Sequence, residues 1–125
     1  MSQLESTMKS ALAARPDVAA IACMDGRAGL VLGMYVNGDV SPDLVELVAL
    51  SAPELLSTPS LGGVMDEPNE ECPEAFALSD AWVHAFVRVP DKPDLVVLGL
   101  AGSGTNVSLL QSWLREVAGR VGREP

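Results

Sequence analysis

The fold is decided by residues 81–101, which read AWVHAFVRVPDKPDLVVLGLA. Two apolar runs flank the segment PDKPD at 90–94, whose prolines cannot donate to a sheet ladder and whose charged side chains favour a solvated turn. This pattern predicts a β-hairpin. The first run places bulky residues on both faces, and the second, at 95–100, is apolar without alternation. Since a strand that is apolar on both sides must be covered on both sides, we expect the hairpin to lie in mid-sheet between helices.

Length and composition predict a single cytoplasmic domain over residues 1–125. No apolar run approaches the roughly 18 residues that cross a bilayer, and the start of the chain lacks the basic-then-apolar order of a secretory signal. Cys23 lies in an apolar run and Cys72 in an acidic segment. Their spacing fits neither a zinc site nor a redox CxxC pair, so we favour separate cysteines over a disulfide.

The charge is strongly acidic and unevenly spread. The formal net charge is −9, and the first 87 residues hold 13 acidic but only 3 basic side chains. Such a surface repels nucleic-acid phosphates and anionic membranes, so we expect neither as a partner. It favours association with a protein that carries a basic patch.

The first half of the chain begins with a predicted helix and a hairpin. Ser2 and Glu5 fit a capping box, and apolar residues then recur at helical spacing until Pro16. Two apolar runs within 18–36, separated by an Asp25-Gly26 turn, predict the hairpin.

A middle helix is predicted next. Ser41, Pro42 and Asp43 have the order of a helix start, and the helix should run to about Ser57 with a kink or early end at Pro53. One of its faces combines acidic and apolar side chains: Glu46, Leu47, Leu50 and Glu54. Two interpretations of the leucines remain, because single exposed leucines are common and because such a face could meet another protein or a second copy.

An acidic segment rich in proline and glycine at 58–74 follows the middle helix. Its carboxylates do not follow the spacing of an EF-hand, so we favour a solvated loop over a docking or calcium site. The short run after it contains Phe76, Ala77 and Leu78 and predicts a strand at a sheet edge, where another chain could pair. After the central hairpin, either Thr105 or Asn106 can cap a final helix. The predicted order is therefore α-β-β-α-β-β-β-α, an α+β fold.

No catalytic, cofactor or metal site is predicted. The glycine-rich segment at 99–105 follows a strand and precedes a helix, but it has neither a P-loop ending nor GxGxxG order. The single histidine, His84, lies in mid-strand, where packing or an interface explains it better than catalysis. The paired carboxylates fall in the acidic loop, which holds geometry poorly.

The chain resembles the roadblock family, small domains related to the dynein roadblock light chains and akin to the longin fold, and in particular its bacterial members of the MglB and MglC type. The resemblance is carried by the following segments: ARPDVAA at 14–20, Met24-Asp25-Gly26, the run 44–56, LVVL at 95–98, Asn106 and Leu109-Leu110. It implies a five-stranded antiparallel sheet with the middle helix on one face and the two terminal helices on the other.

The resemblance also implies partners. The third strands of two copies would pair across a two-fold axis and the middle helices would lie side by side, so the expected interface comprises Glu46, Leu47, Leu50, Glu54, Phe76, Ala77 and Leu78. It further implies binding to a Ras-like small GTPase or to the roadblock regulator of one. Because the middle helix offers no arginine or lysine, we expect a homodimeric adaptor in a bacterial GTPase system controlling polarity or motility, rather than an arginine-finger activator.

Two alternatives remain. The first is a direct GTPase-activating protein that works by repositioning the residues of the GTPase itself. The second is a small-molecule-sensing domain with a pocket near Trp82, His84 and Phe86.

Overall fold

The computed structural model describes residues 3–38, 40–57 and 74–123. The elements are α1 (Gln3–Ala13), β1 (Val18–Asp25), β2 (Leu30–Val36), α2 (Pro42–Ala49), α3 (Ala52–Ser57), β3 (Glu74–Leu78), β4 (Trp82–Val89), β5 (Lys92–Gly102) and α4 (Val107–Gly122). The strands form one antiparallel sheet in the order β2-β1-β5-β4-β3. Ser2 of the predicted capping box, Cys72 and most of the predicted acidic loop lie outside the described residues.

The sheet separates two apolar cores, as the central hairpin predicts. On one face, α1 and α4 cover a core that includes Val83, Ala85 and Val87 of β4. On the other face, α2 and α3 cover a core that includes Phe86. Because β4 supplies buried side chains to both cores, the prediction of a mid-sheet strand covered on both sides is confirmed. The predicted α+β fold, with its five-stranded antiparallel sheet, is confirmed as well.

The turn between β4 and β5 is tighter than the sequence predicts. Only residues 90 and 91 form it, with Asp91 at φ 66°, and Val89 already pairs with Lys92. The register shifts between Arg88 and Val89, so the ladder is irregular where the second proline enters β5. A proline is tolerated at such an irregularity because no regular ladder hydrogen bond is required of it.

The predicted middle helix is two short helices. Helix α2 ends at Ala49, and the amide of Leu50 donates hydrogen bonds to the carbonyls of Glu46 and Leu47. Helix α3 begins at Ala52. The break precedes Pro53, since proline has no amide to continue the helical ladder and its ring collides with the preceding turn. The N-terminus of α2 follows the prediction, because the Ser41 hydroxyl accepts a hydrogen bond from the Asp43 amide.

Helix α4 resolves the alternative between two N-caps. The side-chain oxygen of Asn106 accepts a 3.1 Å hydrogen bond from the Leu109 amide, and Asn106 has an extended backbone. Helix α4 therefore begins directly after Asn106 and packs Leu110, Leu114 and other apolar residues onto the sheet.

Candidate interaction surface

Strand β3 forms one border of the sheet, with β4 as its neighbour. The amide of Ser79 donates to the carbonyl of Trp82 over 2.9 Å, and residues bonded to the neighbouring strand alternate along an antiparallel ladder. Ala77 therefore directs its backbone groups toward β4. The N–H and C=O groups of Phe76 and Leu78 consequently point to the other side, where the described residues supply no strand.

The side chains at this border are apolar and divided between the two faces. Phe76 and Leu78 lie opposite Ala85 and Val83, on the face covered by α1 and α4. They remain 51% and 65% exposed, respectively. Ala77 is half-buried on the face covered by α2 and α3. The border thus combines outward backbone groups with exposed apolar side chains.

Helix α4 holds the start of β3 in place. The Gln111 side-chain amide donates a 3.3 Å hydrogen bond to the carbonyl of Ala75, while its own buried Oε1 accepts none. The Arg115 guanidinium donates two hydrogen bonds, of 2.7 and 2.9 Å, to the carboxylate of Glu74. These hydrogen bonds raise the pKa of Arg115 above its ordinary value. The sequence predicts that Glu74 belongs to the acidic loop, but it is part of β3. Its negative charge is matched by Arg115 of the same chain.

Strand β2, at the opposite border of the sheet, is less regular. The register shifts between Cys23 and Met24, so Leu32 is an extra residue that bulges out of the ladder. Leu30 and Leu32 are 61% and 52% exposed. Sequence reasoning missed these two residues, because it treated β2 only as half of a hairpin. A bulged border is a poorer template for another strand than the regular β3.

The predicted face of the middle helix is directed outward. Leu47 and Leu50 of this segment are 66% and 63% exposed, and Glu46 and Glu54 are exposed as well. The opposite side of α2 packs on the sheet through three buried residues, Val45, Val48 and Ala49. Positions 46, 47 and 50 are neighbours on a helix surface, so they form one patch with two leucines and a carboxylate.

The seven residues predicted as an interface do not form a single patch. Leu47 and Leu50 lie on the outer surface of α2, which covers one face of the sheet, whereas the side chains of Phe76 and Leu78 lie on the other face. Helix α3 contacts β3 and so lies nearer to this border than α2 does. A partner that met both groups would have to extend around the border of the sheet.

The region around His84 does not favour the small-molecule hypothesis. Phe86 is completely buried in the core beneath α2 and α3, so its ring offers no surface to a ligand. His84 is half-buried, its Nε2 lies 3.4 Å from the Ser79 hydroxyl, and burial lowers its pKa below the ordinary value. Phe86 therefore has a packing role, as does the half-buried Trp82, which packs against the same core, while His84 contacts Ser79.

The described ranges carry neither a metal-binding cluster nor a membrane-spanning helix. No three histidine, cysteine, aspartate or glutamate side chains come together there as a metal site would need. None of the described helices combines the length and the apolar character required to cross a bilayer.

Solved structures of similar shape align over nearly the whole chain. The roadblock/LC7 domain from Streptomyces avermitilis is 17% identical, with a TM-score of 0.69 over 94% of this chain and 92% of its own. The gliding protein MglB from Thermus thermophilus is 13% identical, with a TM-score of 0.74 over 97% and 87%. MglC from Myxococcus xanthus is 17% identical, with a TM-score of 0.62 over 94% of both chains. No family model and no curated protein matches the sequence. This protein has the roadblock/LC7 fold.

Proposed function

We propose that this protein is a non-catalytic, homodimeric adaptor in a bacterial Ras-like small-GTPase system that controls cell polarity or motility. Its fold is shared with MglB, a gliding protein, and with MglC. The observation that carries the proposal is the regular border strand β3, whose outward backbone groups and exposed Phe76 and Leu78 invite pairing with another chain.

The partner that strand β3 favours is a second copy of this chain. Strand β3 has no register shift and its one carboxylate, on Glu74, is matched by Arg115, so it lacks the bulge and the unpaired charge that discourage strand pairing. A symmetric dimer would join the two sheets into one continuous sheet through β3. Strand β2, with its bulge at Leu32, would remain at the outer borders.

The outer face of α2 is the second surface of the proposal. Leu47 and Leu50 are both well exposed and would add apolar area to an interface, while Glu46 and Glu54 favour a partner with basic side chains. Residues 42–57 contain no arginine or lysine. A surface of this kind supports docking better than direct stabilisation of charge on a transferring phosphoryl group, which arginine fingers provide.

The first test is the molar mass in solution, measured by light scattering during size-exclusion chromatography. A homodimer has twice the mass of the 13.1 kDa chain. A mass that stays at one chain throughout the micromolar range contradicts the homodimer.

The second test separates an adaptor from an activator. GTP turnover by each Ras-like GTPase encoded in the same genome is measured with and without this protein. An adaptor binds the GTPase, or the roadblock regulator of that GTPase, and leaves turnover unchanged. Faster turnover would instead identify a GTPase-activating protein that acts by repositioning residues of the GTPase.

The α2 surface is tested with Leu50→Glu, for which the chain offers a matched control. Leu109 of α4 is 62% exposed, against 63% for Leu50, and lies two residues before Gln111, on the side of α4 turned away from β3. We expect Leu50→Glu to weaken dimerisation or partner binding and Leu109→Glu to leave both unchanged. Equal behaviour of the two variants would remove α2 from the proposed interface.

A further inference from the structure

We infer that two copies pair through β3 in one register, in which the two-fold axis passes beside Phe76 and the Phe76 residues of the two copies face each other. This inference rests on the proposed homodimer. It adds what the homodimer alone leaves open, namely which residues meet across the axis.

The positions of the outward backbone groups select this register. By the alternation of the β3–β4 ladder, Glu74, Phe76 and Leu78 direct their N–H and C=O groups away from β4. In an antiparallel pair, each outward residue exchanges two hydrogen bonds with the outward residue opposite it. An axis beside Phe76 uses every outward residue of β3 and makes about six hydrogen bonds between the copies.

Neighbouring registers are poorer because they leave outward groups of β3 unused or place less favourable side chains opposite each other. An axis beside Ala77 makes only about four hydrogen bonds within the strands, since Glu74 of each copy faces Asp80, beyond the end of β3 at Leu78. An axis beside Ala75 would place Phe76 opposite Glu74 of the other copy, which is a less favourable cross-strand pair than two aromatic rings. An axis beside Glu74 would bring two carboxylates opposite each other, which is unfavourable in a sheet. The C-terminal end of β3 at Leu78 and the cross-strand side-chain pairs together therefore favour Phe76 at the centre.

The side chains of β3 also favour the register with Phe76 at the two-fold axis. The two half-exposed Phe76 rings would pair on the face that carries α4, and aromatic cross-strand pairs are favourable. Leu78 of each copy would lie opposite Glu74 of the other, whose carboxylate Arg115 already holds, so the pairing buries no unmatched charge. On the opposite face, Ala75 of one copy would lie opposite Ala77 of the other. These small side chains leave space for the α3 helices of both copies.

Cysteine cross-linking tests the register directly. Each variant is made in a Cys72→Ser chain, in which the other native cysteine, Cys23, is completely buried. In the inferred register, Phe76→Cys places two Cα atoms about 5.5 Å apart, within the range of a disulfide. Ala77→Cys places them on a diagonal about 8 Å apart, beyond that range.

We expect Phe76→Cys to form at least about tenfold more disulfide-linked dimer than Ala77→Cys after equilibration in a glutathione redox buffer. Leu32→Cys, at the β2 border, serves as the control for random collisions. Circular dichroism establishes that each variant is folded, and light scattering on the reduced proteins sets the protein concentration, which is chosen so that every variant is dimeric before oxidation.

Each outcome of the cross-linking experiment supports or overturns the inferred register. A Phe76→Cys excess over both other variants supports the register. An Ala77→Cys excess, equal cross-linking of the two β3 variants, or a reduced dimer that cross-links at neither position overturns the register and leaves the homodimer standing. A chain that is monomeric before any substitution overturns the homodimer and the register together.

Discussion

Replacing Phe76 with alanine tests how much the proposed dimer depends on the border strand. Burying a whole phenylalanine side chain stabilises by ~1.5–3 kcal/mol. Phe76 is 51% exposed, so about half of that remains to be gained when a second copy covers the ring. A two-fold interface loses the contribution twice, which gives a loss of about 1.5–3 kcal/mol and a roughly 10- to 150-fold higher dissociation constant.

Sedimentation equilibrium over a range of concentrations measures this dissociation constant, with Leu109→Ala as the control. Leu109 is 62% exposed on α4 and outside both proposed surfaces, so its truncation should change the constant by less than about twofold. Circular dichroism checks that the Phe76→Ala protein is folded, because the buried half of the ring also contributes to the monomer. A dissociation constant within about twofold of the native value would refute the assignment of β3 to the interface.

Three further predictions concern the scaffold that presents these surfaces. Asn106→Ala should lower the free energy of unfolding by about 1 kcal/mol in urea denaturation, because the first turn of α4 loses its side-chain cap; an unchanged midpoint would contradict this role. Gly29→Ala should destabilise more than Gly38→Ala: both glycines have positive φ, but only at Gly29 would a Cβ come within 2.9 Å of a backbone carbonyl of α2, and equal losses would refute the close contact. His84 has a lowered pKa in the folded protein, so the unfolded chain binds more protons between that value and about 6.5. Stability should therefore fall as the pH drops through this window, and His84→Gln should flatten the dependence; a slope unchanged in the variant would assign it to other groups.

The sequence by itself determined the layers of this protein. The bulky residues on both faces of 82–89 required cover on both sides of the sheet, and the two cores are where that pattern predicts them. The start of α2 at Ser41 was also readable, because a cap is a local interaction between residues close in sequence. The sequence could not decide whether Thr105 or Asn106 caps α4, since both side chains can act as caps. The backbone conformation of Asn106 in the folded chain makes it the cap.

Only the tertiary structure decided which parts of these elements remain uncovered. Leu32 and Phe76 both belong to apolar strands, and sequence cannot tell that β2 carries a bulge while β3 is regular, because a bulge depends on the register with the neighbouring strand. Likewise, the pairing of Glu74 with Arg115 joins residues 41 positions apart, so only the packing of α4 beside β3 removes the unmatched charge from this border. Strand order and long-range pairing, which no local pattern encodes, make β3 the border that a second copy can extend.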